Sequence, residues 1–306
     1  MIKVGIVGAG QVGSSAATFL VRSGLAQVVL VDIKGDLSKG KSLDLEDLCG
    51  GSQAKLGITP SRYLKGLKDA DVIVITAGAT RSAGMQRKEL LDINGKIVES
   101  ICKDLKKMYF RGILVMVTNP LDVMTYIAYK TLGLPRERVF GMGQILDTLR
   151  LKGIISRILD ISPQSIDCMV IGQHGEHMVP LLERARVGTV PLKELVSEAK
   201  FKNIKEELVQ RGAKIVSFLG KGSAYIAPGF AIFQIIKSVI LDEKRVIPVS
   251  VSLEGEHNQR GLCIGYPCVI SRKGARIFPL KFSSSEREQF LSSCRQVRSI
   301  IKACMI

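Results

Sequence analysis

Apolar and polar positions alternate along the first half of the chain in a way that predicts its elements. Residues 2–7, Ile-Lys-Val-Gly-Ile-Val, form a short apolar run that predicts a strand, followed by a glycine turn at 8–13 and a helical run from Ser14 to Ser23 that ends near Gly24. The next apolar run, residues 27–31, ends at Asp32. Together these make a strand, helix, strand unit of βαβ length. Further strands are predicted at 71–77 and 112–118, separated by a helix over 88–107 whose apolar residues recur at three-to-four spacing. Strand and helix in alternation imply an α/β fold with a parallel, doubly wound sheet.

Beyond about residue 141 the pattern changes. It predicts an amphipathic helix over 147–159, a strand ending at His174, helices over 203–219 and 223–242, and strands near 246–253, 261–271 and 275–281. The last two strands flank Ser271-Arg-Lys-Gly274, a turn signal that predicts a hairpin. Ser285-Glu-Arg-Glu288 has the spacing of a capping box and opens a helical tail from 284 to 305. This half reads as α+β, so the expected domains are residues 1–141 and 142–306. No internal repeat or long linker separates them, and the two halves are expected to pack tightly.

Composition narrows the class. The chain has 306 residues, 46% apolar and 24% charged, enough apolar residues for a large core and incompatible with disorder or collagen-like structure. The most apolar stretch, Ala224 to Leu241, is interrupted by Pro228, Gly229, Gln234 and Lys237, so it reads as a buried helix and not a bilayer span. The start of the sequence has no basic n-region, long apolar h-region or small-residue cleavage site, and a cytoplasmic protein is expected. Seven scattered cysteines, with no C-x-x-C pair, fit neither a disulfide framework nor a zinc site and read as small core hydrophobes. The net charge of +16 contains no Lys/Arg block of five or more. It reads as a generally basic surface, with neither nucleic acid nor membrane as partner.

The glycine turn carries chemistry. Gly8-Ala-Gly10-Gln-Val-Gly13 is G-x-G-x-x-G between a strand and a helix. In that setting Gly8 permits the tight turn, Gly10 lets the backbone approach a pyrophosphate, and Gly13 lets the helix pack close to the sheet. Asp32, at the end of the second strand, is placed to accept hydrogen bonds from adenosine ribose hydroxyls. Its charge would repel a 2′-phosphate, which favours NAD over NADP, although Lys34 offers a phosphate some compensation.

Other residues supply candidates for proton and anion handling. His174, in Gly172-Gln-His-Gly175, lies just past a strand end and titrates near neutrality, as a group exchanging the proton that accompanies a hydride must. His177 and His257 read as ordinary polar residues. Asp147 lies on an apolar helix face and needs a partner; pairing with a histidine would fix the tautomer and raise the imidazole pKa. Arg150, at i+3, is suited either to a substrate carboxylate or simply to pairing with Asp147. Arg81 and Arg87 bracket Gly84 past a strand end, which reads either as a cationic loop closing over an anion or as an exposed basic loop. Asn119-Pro120 places an amide at the same sheet edge.

Taken together, the glycine turn, Asp32, Thr76-Ala-Gly78, Arg81 with Arg87, Val117-Thr-Asn119-Pro120, Leu146-Asp147-Thr-Leu-Arg150 and Gly172-Gln-His174-Gly175 resemble the lactate/malate dehydrogenase family, as does Lys221-Gly-Ser-Ala-Tyr225 further on. The resemblance implies a Rossmann-type domain followed by an α+β substrate domain. It implies His174 as general acid/base, Asp147 as its orienting partner, Arg150 as clamp on the substrate's C1 carboxylate, Arg87 as the group polarising the carbonyl, and Asn119 as holder of substrate oxygen and cofactor. NAD is expected against Gly8, Gly10, Gln11, Val12, Gly13, Asp32, Thr76, Ala77, Gly78, Asn94, Val117 and Asn119, with no metal. In this family Arg81 occupies the position that divides substrates. A second carboxylate buried without a cation would be costly, so Arg81 points to a dicarboxylate, malate with oxaloacetate, the alternative being lactate or another 2-hydroxy acid. Ser223 and Ala224 leave room for the larger substrate. A homodimer or homotetramer is expected. Gln173, and Gly84 after Ala83, depart from the usual pattern.

Overall fold

Runs rich in Val, Ile and Leu become strands here because both faces of the sheet are covered, so each can be apolar throughout. The computed structural model describes residues 2–50, 57–79, 87–220 and 222–304, with the backbone alone of Arg87. Its first half runs β1 (Lys3–Val7), α1 (Gln11–Ser23), β2 (Gln27–Val31), α2 (Gly35–Gly50), β3 (Ile58–Ser61), β4 (Val72–Ile75), α3 (Arg87–Lys107), β5 (Ile113–Met116), α4 (Leu121–Leu132) and β6 (Val139–Gly141). The strand order is β3-β2-β1-β4-β5-β6, every neighbouring pair parallel. This is the expected doubly wound Rossmann sheet, and its order reverses between β1 and β4, where such sheets bind ligands. Gly24 and Gly133, both left-handed, end α1 and α4 as helix-terminating glycines do.

The second half contains α5 (Ile145–Leu159), the short strands β7 (Ile166–Asp167), β8 (Val170–Gly172), β9 (Met178–Pro180), β10 (Arg186–Val187) and β11 (Val190–Pro191), then α6 (Leu192–Leu195), α7 (Glu198–Leu219), α8 (Ile226–Ile240), β12 (Arg245–Glu254), β13 (Arg260–Ser271), β14 (Gly274–Ile277) and α9 (Ser284–Cys304). β12 joins β6 antiparallel, with Ser250 opposite Gly141, so the sheet continues through β13 to β8 and β9. That continuity brings the end of β8, with His174 just beyond it, alongside the Rossmann strands. Leu151, Ile154, Ile155, Ile204 and Leu208 form a second core between α5 and α7.

Several boundaries differ from the sequence reading for local reasons. The expected hairpin forms, with Ser271 opposite Gly274, but β14 ends at Ile277. There the Phe278 N–H turns to the Pro267 carbonyl, and Pro279 has no N–H to offer a ladder. α7 begins at Glu198 because the Ser197 hydroxyl caps it, accepting from the Lys200 N–H. The capping box of α9 lies earlier than expected. Ser283 accepts from the Glu286 N–H while Glu286 accepts from the Ser283 N–H, so Ser285 and Glu288 are not the pair. Five of the seven cysteines, Cys102, Cys168, Cys263, Cys268 and Cys294, are buried, as core hydrophobes are.

Candidate active site

At the β1/β4 switch point the glycine turn is dictated by crowding. Gly8 leaves β1 at φ +111°, and a Cβ there would lie 2.6 Å from Thr76 Oγ1 and 2.8 Å from the Ala77 nitrogen. On Gly13 a Cβ would fall 1.9 Å from the Gly8 carbonyl oxygen. Gly10 is different: nothing lies within 4 Å of its missing side chain, and no side chain caps α1. Two glycines therefore serve the protein's own packing, and the third leaves an open face at a helix N-terminus, where an anion is favoured. Gln11 and Val12 form the first turn of that helix.

Asp32 closes the turn from the side. Its two carboxylate oxygens accept from the Ala9 and Lys34 backbone N–H groups, each at 2.8 Å. The carboxylate is thereby aimed along the loop with lone pairs left for sugar hydroxyls. Glycine cradle, uncapped helix end and oriented carboxylate fit a dinucleotide. Across the switch point Thr76 donates to the Val7 and Gly8 carbonyls and Thr118 to the Ala77 carbonyl, which fixes the edge that carries Ala77, Gly78 and Val117. Asn94 is buried, and its amide is occupied by the Ala79 N–H, the Ala79 carbonyl and the Asn119 carbonyl. It braces the sheet edge and the Asn119 loop from behind. Asn119 itself is exposed at the end of β5.

The proton-handling residues meet across the two halves. His174 Nδ1 lies 2.7 Å from Asp147 Oδ2, and Arg150 Nη1 lies 3.1 Å from Asp147 Oδ1. Asp147 is fully buried on α5 and serves both partners, one with each oxygen. Both readings of Arg150 thus coexist geometrically, since one of its nitrogens meets Asp147 and the rest of the fork is left for another acceptor. Burial alone would lower the His174 pKa, but the charges and hydrogen bond of Asp147, with the charge of Asp122, raise it above the ordinary histidine value. Burial would likewise raise Asp147, yet His174 and Arg150 hold it below the usual carboxylate range. Arg81, and the side chain of Arg87 at the start of α3, lie outside the described residues. His257 belongs elsewhere, stacked on Phe282 and bonded to the Tyr266 hydroxyl.

Four buried residues around His174 were not singled out from the sequence. Asp122 on α4 accepts from the His174 N–H at 2.8 Å and from the Ser250 hydroxyl at 2.6 Å. Ser293 on α9 accepts from the Gln173 N–H at 2.7 Å and donates to the His177 carbonyl at 2.8 Å, holding both ends of the loop. Gln144, at the start of α5, donates to the Gly172 carbonyl and fills the space a Cβ on Gly265 would need. A carboxylate in the apolar run Leu121-Asp-Val-Met124, directly after Asn-Pro, was the available signal for Asp122. The serines and Gln144 carried none, because their partners, the Asp122 carboxylate for Ser250 and backbone groups for Ser293 and Gln144, are distant in sequence.

The lactate/malate dehydrogenase NAD-binding domain matches residues 2–141, and the family's α/β C-terminal domain matches residues 145–305. The chain belongs to the lactate/malate dehydrogenase family. Within that family it is 38% identical over 301 residues to the malate dehydrogenase of Desulforudis audaxviator, covering 98% of this chain and 97% of that one. Among solved structures it resembles Cryptosporidium parvum malate dehydrogenase with a TM-score of 0.96 at 30% identity, covering 99% of each chain. The minor L-lactate dehydrogenase of Enterococcus mundtii superposes with a TM-score of 0.94 at 28% identity, over 98% of each chain. Both branches of the family thus share this backbone, and substrate preference has to come from particular side chains.

Proposed function

We propose that the protein transfers hydride reversibly between malate and NAD, giving oxaloacetate and NADH. The observation that carries this reading is the His174, Asp147 and Arg150 cluster, linked at 2.7 and 3.1 Å, at the edge of the sheet that holds the glycine turn. When bound, NAD supplies the hydride acceptor or donor at its nicotinamide ring. His174 takes the hydroxyl proton as malate is oxidised and returns it to the carbonyl oxygen as oxaloacetate is reduced. Asp147 accepts from Nδ1–H, which leaves Nε2 as the atom that exchanges the proton. Arg150 holds the C1 carboxylate through nitrogens not engaged by Asp147, and Asn119 and Arg87 hold the substrate oxygen. Arg81 balances the second carboxylate, and pyruvate would leave that cation without a partner.

The division into residues 1–141 and 142–306 is part of the same proposal, the first for cofactor and the second for substrate. Self-association as a homodimer or homotetramer is supported by α2, which exposes Leu37, Leu43 and Leu48 to 40, 62 and 38%. No helix among the described residues is long and apolar enough to cross a membrane, and the cytoplasm is the proposed location. The test follows NADH absorbance with oxaloacetate and pyruvate at equal concentration, then with NADPH. Fast turnover of oxaloacetate with NADH supports the reading. Preference for pyruvate overturns the substrate assignment, and silence with both overturns the reaction.

A further inference from the structure

His174 faces two buried carboxylates, and only Asp147 touches its ring. The other, Asp122, is 3% exposed in the first turn of α4. Its Oδ2 accepts from the His174 backbone N–H at 2.8 Å, and its Oδ1 accepts from the hydroxyl of Ser250, itself fully buried on β12. Among the described residues no Lys or Arg pairs with Asp122. A neutral asparagine could meet the same two partners, its oxygen accepting from the His174 N–H and its nitrogen donating to the Ser250 oxygen, without the cost of burying a charge. Burial does exact that cost, pushing the Asp122 carboxyl up to about 6. Such a charge brings a return only if a positive charge develops beside it, and the neighbouring group that gains one is the imidazole of His174.

We propose that Asp122 is a positioning residue of the proton transfer. It anchors the backbone of His174 to the helix that starts beside Asn119, and its buried charge helps hold the imidazolium. This rests on the reading of His174 as acid/base. The linkage is short. Asn119 and Pro120 immediately precede α4, and Asp122 is its second residue, so one rigid segment sets the spacing between the amide at the sheet edge and the imidazole.

The groups facing this pair can be named element by element. Asp147 and Arg150 act from α5, the first raising and the second lowering the imidazole pKa. Ser250 faces Asp122 from β12. Cys263 on β13 and Cys294 on α9 lie in the field of Asp122, and burial holds both thiols neutral.

The test compares Asp122→Asn with wild type as the NADH-bound enzyme, reading the His174 imidazole titration by NMR and the pH profile of kcat/KM for oxaloacetate. The amide keeps a contact to each partner, its oxygen accepting from the His174 N–H and its nitrogen donating to the Ser250 oxygen, and removes the charge. The expected result is unchanged NADH affinity and an imidazole midpoint lower by about half to one pH unit, a three- to tenfold loss of imidazolium above the midpoint, since one pH unit corresponds to tenfold. The falling limb of the pH profile should move by the same amount. Ser250→Ala is the second variant. Loss of its hydroxyl makes Asp122 easier to protonate, so less of its charge remains at the imidazole midpoint, which should fall in the same direction as in Asp122→Asn but by less. An unchanged imidazole titration in Asp122→Asn overturns the inference, as does an imidazole midpoint in Ser250→Ala identical to wild type. An imidazole midpoint that moves while the rate profile stays put supports the coupling and overturns the acid/base role of His174 instead.

Discussion

Asp147 Oδ2 lies 2.7 Å from His174 Nδ1 while its other oxygen lies 3.1 Å from Arg150 Nη1, so one buried carboxylate orients both the proton carrier and a substrate-facing cation. Replacing it with Asn alters the two jobs unequally. The amide can still sit between the partners, but it no longer compensates an imidazolium and can donate to Nδ1, selecting the wrong tautomer. Asp147→Asn is expected to lower kcat for oxaloacetate by about 10²-fold or more, with NADH affinity nearly unchanged. Stopped-flow single-turnover rates and NADH fluorescence titration measure the two separately.

The same pair makes activity and stability depend on pH with signs that can be worked out. Reduction of oxaloacetate needs protonated His174 and oxidation of malate needs it neutral, so the raised imidazole pKa extends reduction to higher pH and delays the onset of oxidation. For stability, an imidazole whose folded pKa exceeds its unfolded value near 6.5 contributes fully below that value, and the contribution fades as pH rises through the folded pKa. Asp147 has the opposite sense. Its folded pKa is below the unfolded 3.8, so its contribution is present above that value and fades as pH falls through the folded one. Urea midpoints of wild type and His174→Asn should therefore differ most between the two windows, near pH 5 to 6, and converge on the alkaline side.

Arg81 is the residue on which substrate choice depends in this reading. Arg81→Gln removes the cation but keeps a polar side chain, so oxaloacetate loses a charged partner while pyruvate no longer faces an unpaired guanidinium. The expected outcome is a fall in kcat/KM for oxaloacetate of about 10²-fold or more and a rise for pyruvate, measured by NADH absorbance. Unchanged turnover of oxaloacetate with no gain for pyruvate would assign the second carboxylate to another group.

Legibility in the sequence followed the range of the interaction. The glycine turn, Asp32, His174, Asp147 and Arg150 could be found because each sits at a patterned place, a strand end or an apolar helix face. α2 and α4 were passed over. The buried positions of α2 are only Ser38, Ser42 and Leu45, too weak an apolar stripe to register, and α4 is apolar on several faces because it is sandwiched between α3 and the sheet. Ser250, Ser293 and Gln144 were invisible for another reason. Their roles lie in hydrogen bonds to groups 28 to 128 residues away, which no local pattern encodes.

The displaced capping box yields the last prediction. Glu286 accepts the Ser283 N–H at 2.8 Å and also two donors of Arg184, Nε at 2.6 Å and Nη2 at 2.5 Å. One nearly buried carboxylate thus starts α9 and ties it to the segment that follows β9, and α9 in turn carries Ser293 under the His174 loop. Half-exposed Arg184 limits what the ion pair contributes, so most of the loss in Glu286→Ala should come from the cap and the buried hydrogen bonds, about 1–3 kcal/mol in all. Glu286→Gln retains the reach to the Ser283 N–H and one acceptor for Arg184, and should lose less than half of that. Both should keep kcat within about twofold at 25 °C while lowering the temperature at which activity is lost, because α9 as a unit, more than any one contact at its start, holds Ser293 in place. Thermal unfolding followed by circular dichroism, run beside activity assays on the same samples, distinguishes these outcomes; a large fall in kcat with unchanged unfolding would show that the start of α9 acts on the His174 loop directly.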